Sequence, residues 1–170
     1  GSGQSTKFLS DLRKAKGFDY KVYSFDHHPQ HCYKSEHDFL KSNLFDIISC
    51  DDESFEDMFI NKTYSRKGFT NCQNQKDDFR IKNSFYDITE DHLPDNIDLV
   101  ILDGPNGNGR SISFLHLKHK ISKNCVILID DSDHYDFIER CSQVFDTETL
   151  VHVSDHKIHP LFNYAIVKVK

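Results

Sequence analysis

The chain has 170 residues, of which 37% are hydrophobic and 28% charged, and a formal net charge of −6. This length suits one domain over 1–170, and an acidic balance without a basic arm disfavours nucleic acid or an anionic membrane as partner. No apolar run approaches the ~20 residues that cross a bilayer, and widely spaced cysteines without a Cys-x-x-Cys pair read as reduced thiols of a cytoplasmic protein.

In chain order, Ser5–Lys16 carries Phe8, Leu9 and Leu12 at helical spacing, with Gly17 as a C-terminal stop. Tyr20–Phe25 reads as a strand ending at Asp26. Pro29–Asn43 reads as a helix with proline near its first turn. Leu44–Cys50 follows as a strand, then Asp51 and Asp52, then a short helix over Glu53–Ile60. Residues 61–84 are polar and lack a sustained period, so they read as an insertion over the sheet edge or the active site.

The next stretch is the most informative. Leu99-Val-Ile-Leu102 is an unbroken apolar run that delivers Asp103 into a loop containing Gly104, Pro105, Gly107 and Gly109. Val126–Ile129 repeats the arrangement and ends in Asp130 and Asp131. Short apolar runs bounded by turn residues read as strands buried on both faces of a parallel sheet. Ligands bind beyond the carboxyl ends of such strands. Helices are expected over Ser111–Ile121 and His134–Val144. Leu150–Val153 and Tyr164–Val169 are joined too closely for a helical crossover, which implies an antiparallel pair. The expected fold class is therefore α/β, a doubly wound and mostly parallel sheet closing on a C-terminal antiparallel strand pair.

Three readings stand for Asp103, Asp130 and Asp131: holding a divalent cation such as Mg²⁺, positioning a substrate hydroxyl or amine, or capping turns. His134 follows them as a general base or as a helix N-terminal residue. Arg110 suits an anionic substrate group or a neighbouring acid. His27, His28, His31 and Cys32 carry zinc-binding chemistry, but at a spacing that matches no common site, so a solvated loop is the alternative. His116 and His119 are expected on a helix surface.

Gly1-Ser-Gly-Gln-Ser-Thr6 resembles the glycine-rich first motif of class I S-adenosylmethionine-dependent methyltransferases, in its bacterial "GSG-x-ST" form. Tyr23-Ser-Phe-Asp26 looks like the second motif, and the "DGP…GR" and "DD" endings match Asp103 to Arg110 and Asp130-Asp131. The resemblance implies that Gly1, Gly3, Ser5 and Thr6 hold the polar end of S-adenosylmethionine. By the same likeness Asp26 accepts the ribose hydroxyls beside His27, Asp51 or Asp52 lies near the adenine, and Asp103 closes the cofactor site. It also implies a first strand that precedes the glycine motif at the centre of the sheet and is missing from this sequence. The implied activity is methyl transfer to a small-molecule or saccharide hydroxyl, with Asp103, Asp130 and His134 as the catalytic candidates. A methyltransferase-like domain without catalysis and an NAD-linked enzyme are the alternatives.

Overall fold

The computed structural model describes residues 2–33, 38–72, 81–154 and 163–170. Helix α1 (Ser2–Lys16) turns Thr6 and Ser10 inward and leaves Phe8 exposed. It stops at Gly17, whose φ of +67° suits glycine and whose N–H donates to the Arg13 carbonyl at 2.9 Å. The helix begins at Ser2, ahead of the expected Ser5, so Gly3 lies in its first turns and not in an open loop. Gly1 lies outside the described residues.

Strand β1 (Val22–Asp26) alternates buried and half-buried residues as period two requires. It pairs in parallel with β2 (Leu40–Leu44), in register from Val22 opposite Leu40 to Asp26 opposite Leu44. The helix expected over 29–43 is therefore absent among the described residues, where 29–31 form a turn and 40–43 belong to β2; residues 34–37 lie outside them. Pairing with the β1 edge satisfies a row of backbone groups that a helix would leave unpaired, and this overrides a weak helical pattern.

A second sheet joins β3 (Ile47–Ser49) antiparallel to both β4 (Thr70–Asn71) and β5 (Ser84–Tyr86). Helix α2 (Asp52–Asn61) buries Phe55, Met58 and Phe59 in the same core. Phe69 and Cys72 are buried there too, so the described part of the stretch over 61–84 contributes to this core. Its apolar residues are too sparse to show a period.

The third sheet has the order β6-β7-β9-β8. Strands β6 (Ile97–Leu102) and β7 (Ile121–Asp130) run parallel, while β8 (Thr147–Val153) and β9 (Tyr164–Val169) form the expected antiparallel pair. Helices α3 (Ile112–Leu117) and α4 (Phe137–Val144) supply Phe114, Phe137 and Cys141 to its core. Both helices are shorter than expected. Strand β7 already begins at Ile121, and a turn with Asp131 at φ +54° occupies the start of the expected second helix.

The single doubly wound sheet is thus interrupted into three. Strand β6 is not buried on both faces, since Leu99 and Ile101 are 47% and 37% exposed. Among the described residues, β6 has a strand partner only in β7, and β1 only in β2. Between them runs a groove of about 780 Å³, floored by Leu9, Val22, Leu99, Ile101 and Leu117.

The described residues contain no disulfide. Burial pushes the thiols of Cys50 and Cys125 up to about 11 and that of Cys141 to about 12, so they stay protonated. No described helix is long and apolar enough to cross a membrane.

His116 corrects a surface expectation. It is 1% exposed, its ring lies 4.0 Å from that of Tyr64, and neither ring nitrogen has a hydrogen-bond partner among the described residues. Burial lowers its pKa from 6.5 to about 4. The unfolded chain then binds a proton near pH 6.5 that the folded chain refuses. Stability is full above pH 6.5 and falls between pH 6.5 and 4, by roughly 3 kcal/mol from this group. Denaturant melts at pH 7 and pH 4.5 should show this loss, and His116→Leu should shrink it; an equal acid loss in the variant would assign it to other groups.

Candidate active site

Leu102 of β6 lies opposite Ile129 of β7, so the next residues, Asp103 and Asp130, leave neighbouring parallel strands side by side. Their carboxyls are close enough to interact. Burial first, then the charges of Asp103 and Asp131, raise the Asp130 pKa above the ordinary carboxylate range. The pair therefore holds a proton more readily than a solvated acid does.

Asp131 turns away. Its carboxylate lies 3.6 Å from Arg110 Nη2 and 3.9 Å from His134 Nδ1. Arg110 is 2% exposed; its Nε donates to the Pro105 carbonyl at 3.0 Å and its Nη1 to the Asp130 carbonyl at 2.8 Å. Its guanidinium also stands 5.3 Å from the Phe137 ring centre. Of its two readings, the structure places Arg110 with the acid, where it ties the loop after β6 to the end of β7. His134 is exposed, before α4 and not within it. It sits on the rim of a second cavity of about 490 Å³ that Lys82, Tyr135 and Asp136 also line. Among the described residues no group of three His, Cys, Asp or Glu side chains is arranged to hold a metal ion, and this covers both the three acids and the His27–Cys32 cluster.

The loop after β6 is seated by backbone contact. Gly109 packs so closely on β5 that a Cβ would overlap the backbone nitrogen and oxygen of Ser84. Beside it two asparagines interlock: Asn83 N–H donates to Asn108 Oδ1 at 2.9 Å, and Asn108 Nδ2 to Asn83 Oδ1 at 2.6 Å. Asn83 Nδ2 reaches Asp52 Oδ1 at 2.8 Å, which commits Asp52 to this junction. Asp51 caps α2, its Oδ1 accepting the Ser54 N–H at 2.7 Å.

On the other side of the groove Asp26 is 2% exposed, and its Oδ1 accepts the N–H groups of His27 and His28 at 2.8 and 2.9 Å. The His27 and His28 rings are 3.8 Å apart. Thr6 donates to Ser24 Oγ at 3.0 Å, locking α1 on β1, while Ser5 and Thr6 line the groove. At the polar mouth, Thr6, Ser24, Asp103 and Gly104 share the groove with a residue the sequence reading passed over, Tyr86. The only sequence signal for it was the aromatic pair Phe85-Tyr86 closing a polar stretch.

Two strand ends bearing acids and a buried arginine tying their loops describe a binding crevice, whatever the ligand. Residues 1–132 match the sequence profile of a family described as a methyltransferase domain. The chain belongs to that family. No curated protein and no solved structure matches it. Membership supports a class I methyltransferase and implies S-adenosylmethionine as methyl donor, which leaves the NAD-linked alternative without support. The chemistry of the donor set suits that cofactor: Asp26 closes β1, Asp103 follows β6, and Ser5 and Thr6 line the groove with hydroxyls.

Proposed function

We propose that this methyltransferase acts on a hydroxyl of a small molecule or saccharide and that the Asp103–Asp130 pair is its base. One observation carries the reading: two carboxyls set side by side at adjacent parallel strand ends, where burial and the neighbouring acids hold Asp130 above the ordinary range. S-adenosylmethionine supplies, when bound, a methyl carbon already activated by positive charge on sulfur. The chain's task is alignment, which contributes up to ~7–11 kcal/mol in favourable cases, and removal of one proton. A neutral hydroxyl becomes a competent nucleophile only as it gives up that proton, and Asp130 accepts it while Asp103 shares the resulting hydrogen bond. Arg110 keeps the two loops in place through the Pro105 and Asp130 carbonyls. The cavity beside His134 gives the body of the acceptor an aromatic wall at Tyr135 and polar partners at Lys82 and Asp136. Asp26, Ser5 and Thr6 serve the cofactor, with His27 beside the ribose.

Transfer of a labelled methyl group to a panel of small alcohols, saccharides and amines tests this. Label is expected on oxygen, with a rate that rises with pH through a limb above the ordinary carboxylate range, and with no loss in excess chelator. Two carboxylates and water suffice for Mg²⁺, so a loss that Mg²⁺ restores would put a cation between Asp103 and Asp130. Label on nitrogen, or a flat pH profile, would overturn the hydroxyl reading.

A further inference from the structure

Tyr86 closes β5 and is 7% exposed. Its hydroxyl stands 2.9 Å from where a Cβ on Gly104 would be, directly after Asp103. Its ring centre is 6.1 Å from that of His27, on the loop that follows Asp26. The phenol therefore spans the crevice from the end of β1 to the end of β6, at the mouth of the groove. Burial first, then the charge of Asp26, raise its pKa, with Arg110 opposing and Asp103 adding to the rise, so it stays a neutral phenol at any working pH. A neutral tyrosine flanked by two carboxylates donates its one proton to an acid or a ligand. Its oxygen lone pairs and the negative face of its ring remain as acceptors for positive charge.

We propose that Tyr86 is a contact for the positively charged, methyl-bearing sulfur of the methyl donor, and that it favours this charged ligand over the neutral thioether product. The proposal rests on the methyltransferase reading, in which Asp26 and Asp103 flank the cofactor. A carboxylate alone would attract the sulfonium but would also invite water and off-line approach. A buried phenol adds a directed, dry acceptor that Asp26 and Asp103 polarise. Loss of positive charge on sulfur after transfer removes the attraction and eases product release.

The discriminating quantity is a ratio of affinities, independent of turnover. Calorimetric titration of the full chain with S-adenosylmethionine and with S-adenosylhomocysteine is expected to show Tyr86→Phe weakening the first by about three- to tenfold and the second by less than about twofold, the range for loss of one cation–aromatic or cation–oxygen contact. A residue that only packs would move both affinities together, and equal weakening, or none, overturns the proposal. Gly104→Ala provides a second route if Tyr86→Phe folds poorly, because the new methyl displaces the hydroxyl without removing it; the same selective loss is expected, and a parallel loss refutes the contact. Failure of the unchanged chain to bind either nucleoside would overturn the cofactor reading itself, a result distinct from an unchanged ratio.

Discussion

Gly109→Ala is expected to abolish cooperative folding or to lower stability by at least ~3 kcal/mol, the upper range for overpacking a rigid core. The added Cβ would overlap the Ser84 backbone and lie 2.6 Å from the Asn83 carbonyl carbon. No rotamer relieves this, since the obstacle is a β-strand backbone pinned by the Asn83–Asn108 amide pair. The loop after β6 would have to lift from β5 and take Arg110 with it, breaking the bonds to Pro105 and Asp130. Gly17→Ala calibrates the effect: Gly17 has φ +67° but nothing within 4 Å of a new Cβ, so only backbone strain of about 1 kcal/mol is expected. Denaturant melts of both variants provide the comparison, and similar midpoints for the two would show that the loop does not rest on β5 in solution.

The contrast between these glycines shows what the sequence discloses. Gly17 follows a helical run and reads as a stop without any tertiary knowledge. Gly109 reads only as one more turn residue, because its neighbour Ser84 is distant in sequence and belongs to a three-residue strand in a polar stretch. The same rule separates the acids. Asp103 and Asp130 were visible because apolar runs end on them, and the sheet brings them together. Arg110 stood equally for substrate or structure until its burial became known. Tyr86 escaped notice for the reason that hid Gly109: β5 is too short to show a period, and only pairing with β3 makes it a strand.

Strand β2 shows the limit from the other side. Leu40–Leu44 carries Lys, Ser and Asn between its apolar ends, a pattern that serves a helix or a strand. The β1 edge decides, because its unpaired backbone groups are a long-range demand that no local pattern encodes. The interruption between β1 and β6 has the same origin. Leu99 and Ile101 have the composition of a strand covered on both faces, and they remain exposed because pairing on the β6 edge is unfilled among the described residues.

Asp130→Asn is expected to lower the rate of methyl transfer by about 10²–10⁴, the usual contribution of a general base. The substitution keeps shape and hydrogen bonding but removes the atom pair that accepts the acceptor's proton. Affinity for S-adenosylhomocysteine should stay within about twofold, because the amide leaves the Asp130 backbone carbonyl on Arg110 intact. Asp103→Asn separates the partners. It removes the neighbouring negative charge that helps to raise Asp130, so Asp130 ionises more easily and the acid limb of the pH–rate profile should move to lower pH. Asp131→Asn, which loses only the 3.6 Å ion pair to Arg110, should cost far less than Asp130→Asn. Rates measured from pH 5 to 9 for the three variants test the assignment together. A near-normal rate for Asp130→Asn would remove the pair from proton transfer. An acid limb that stays in place in Asp103→Asn would show that burial, and not its neighbour, governs Asp130.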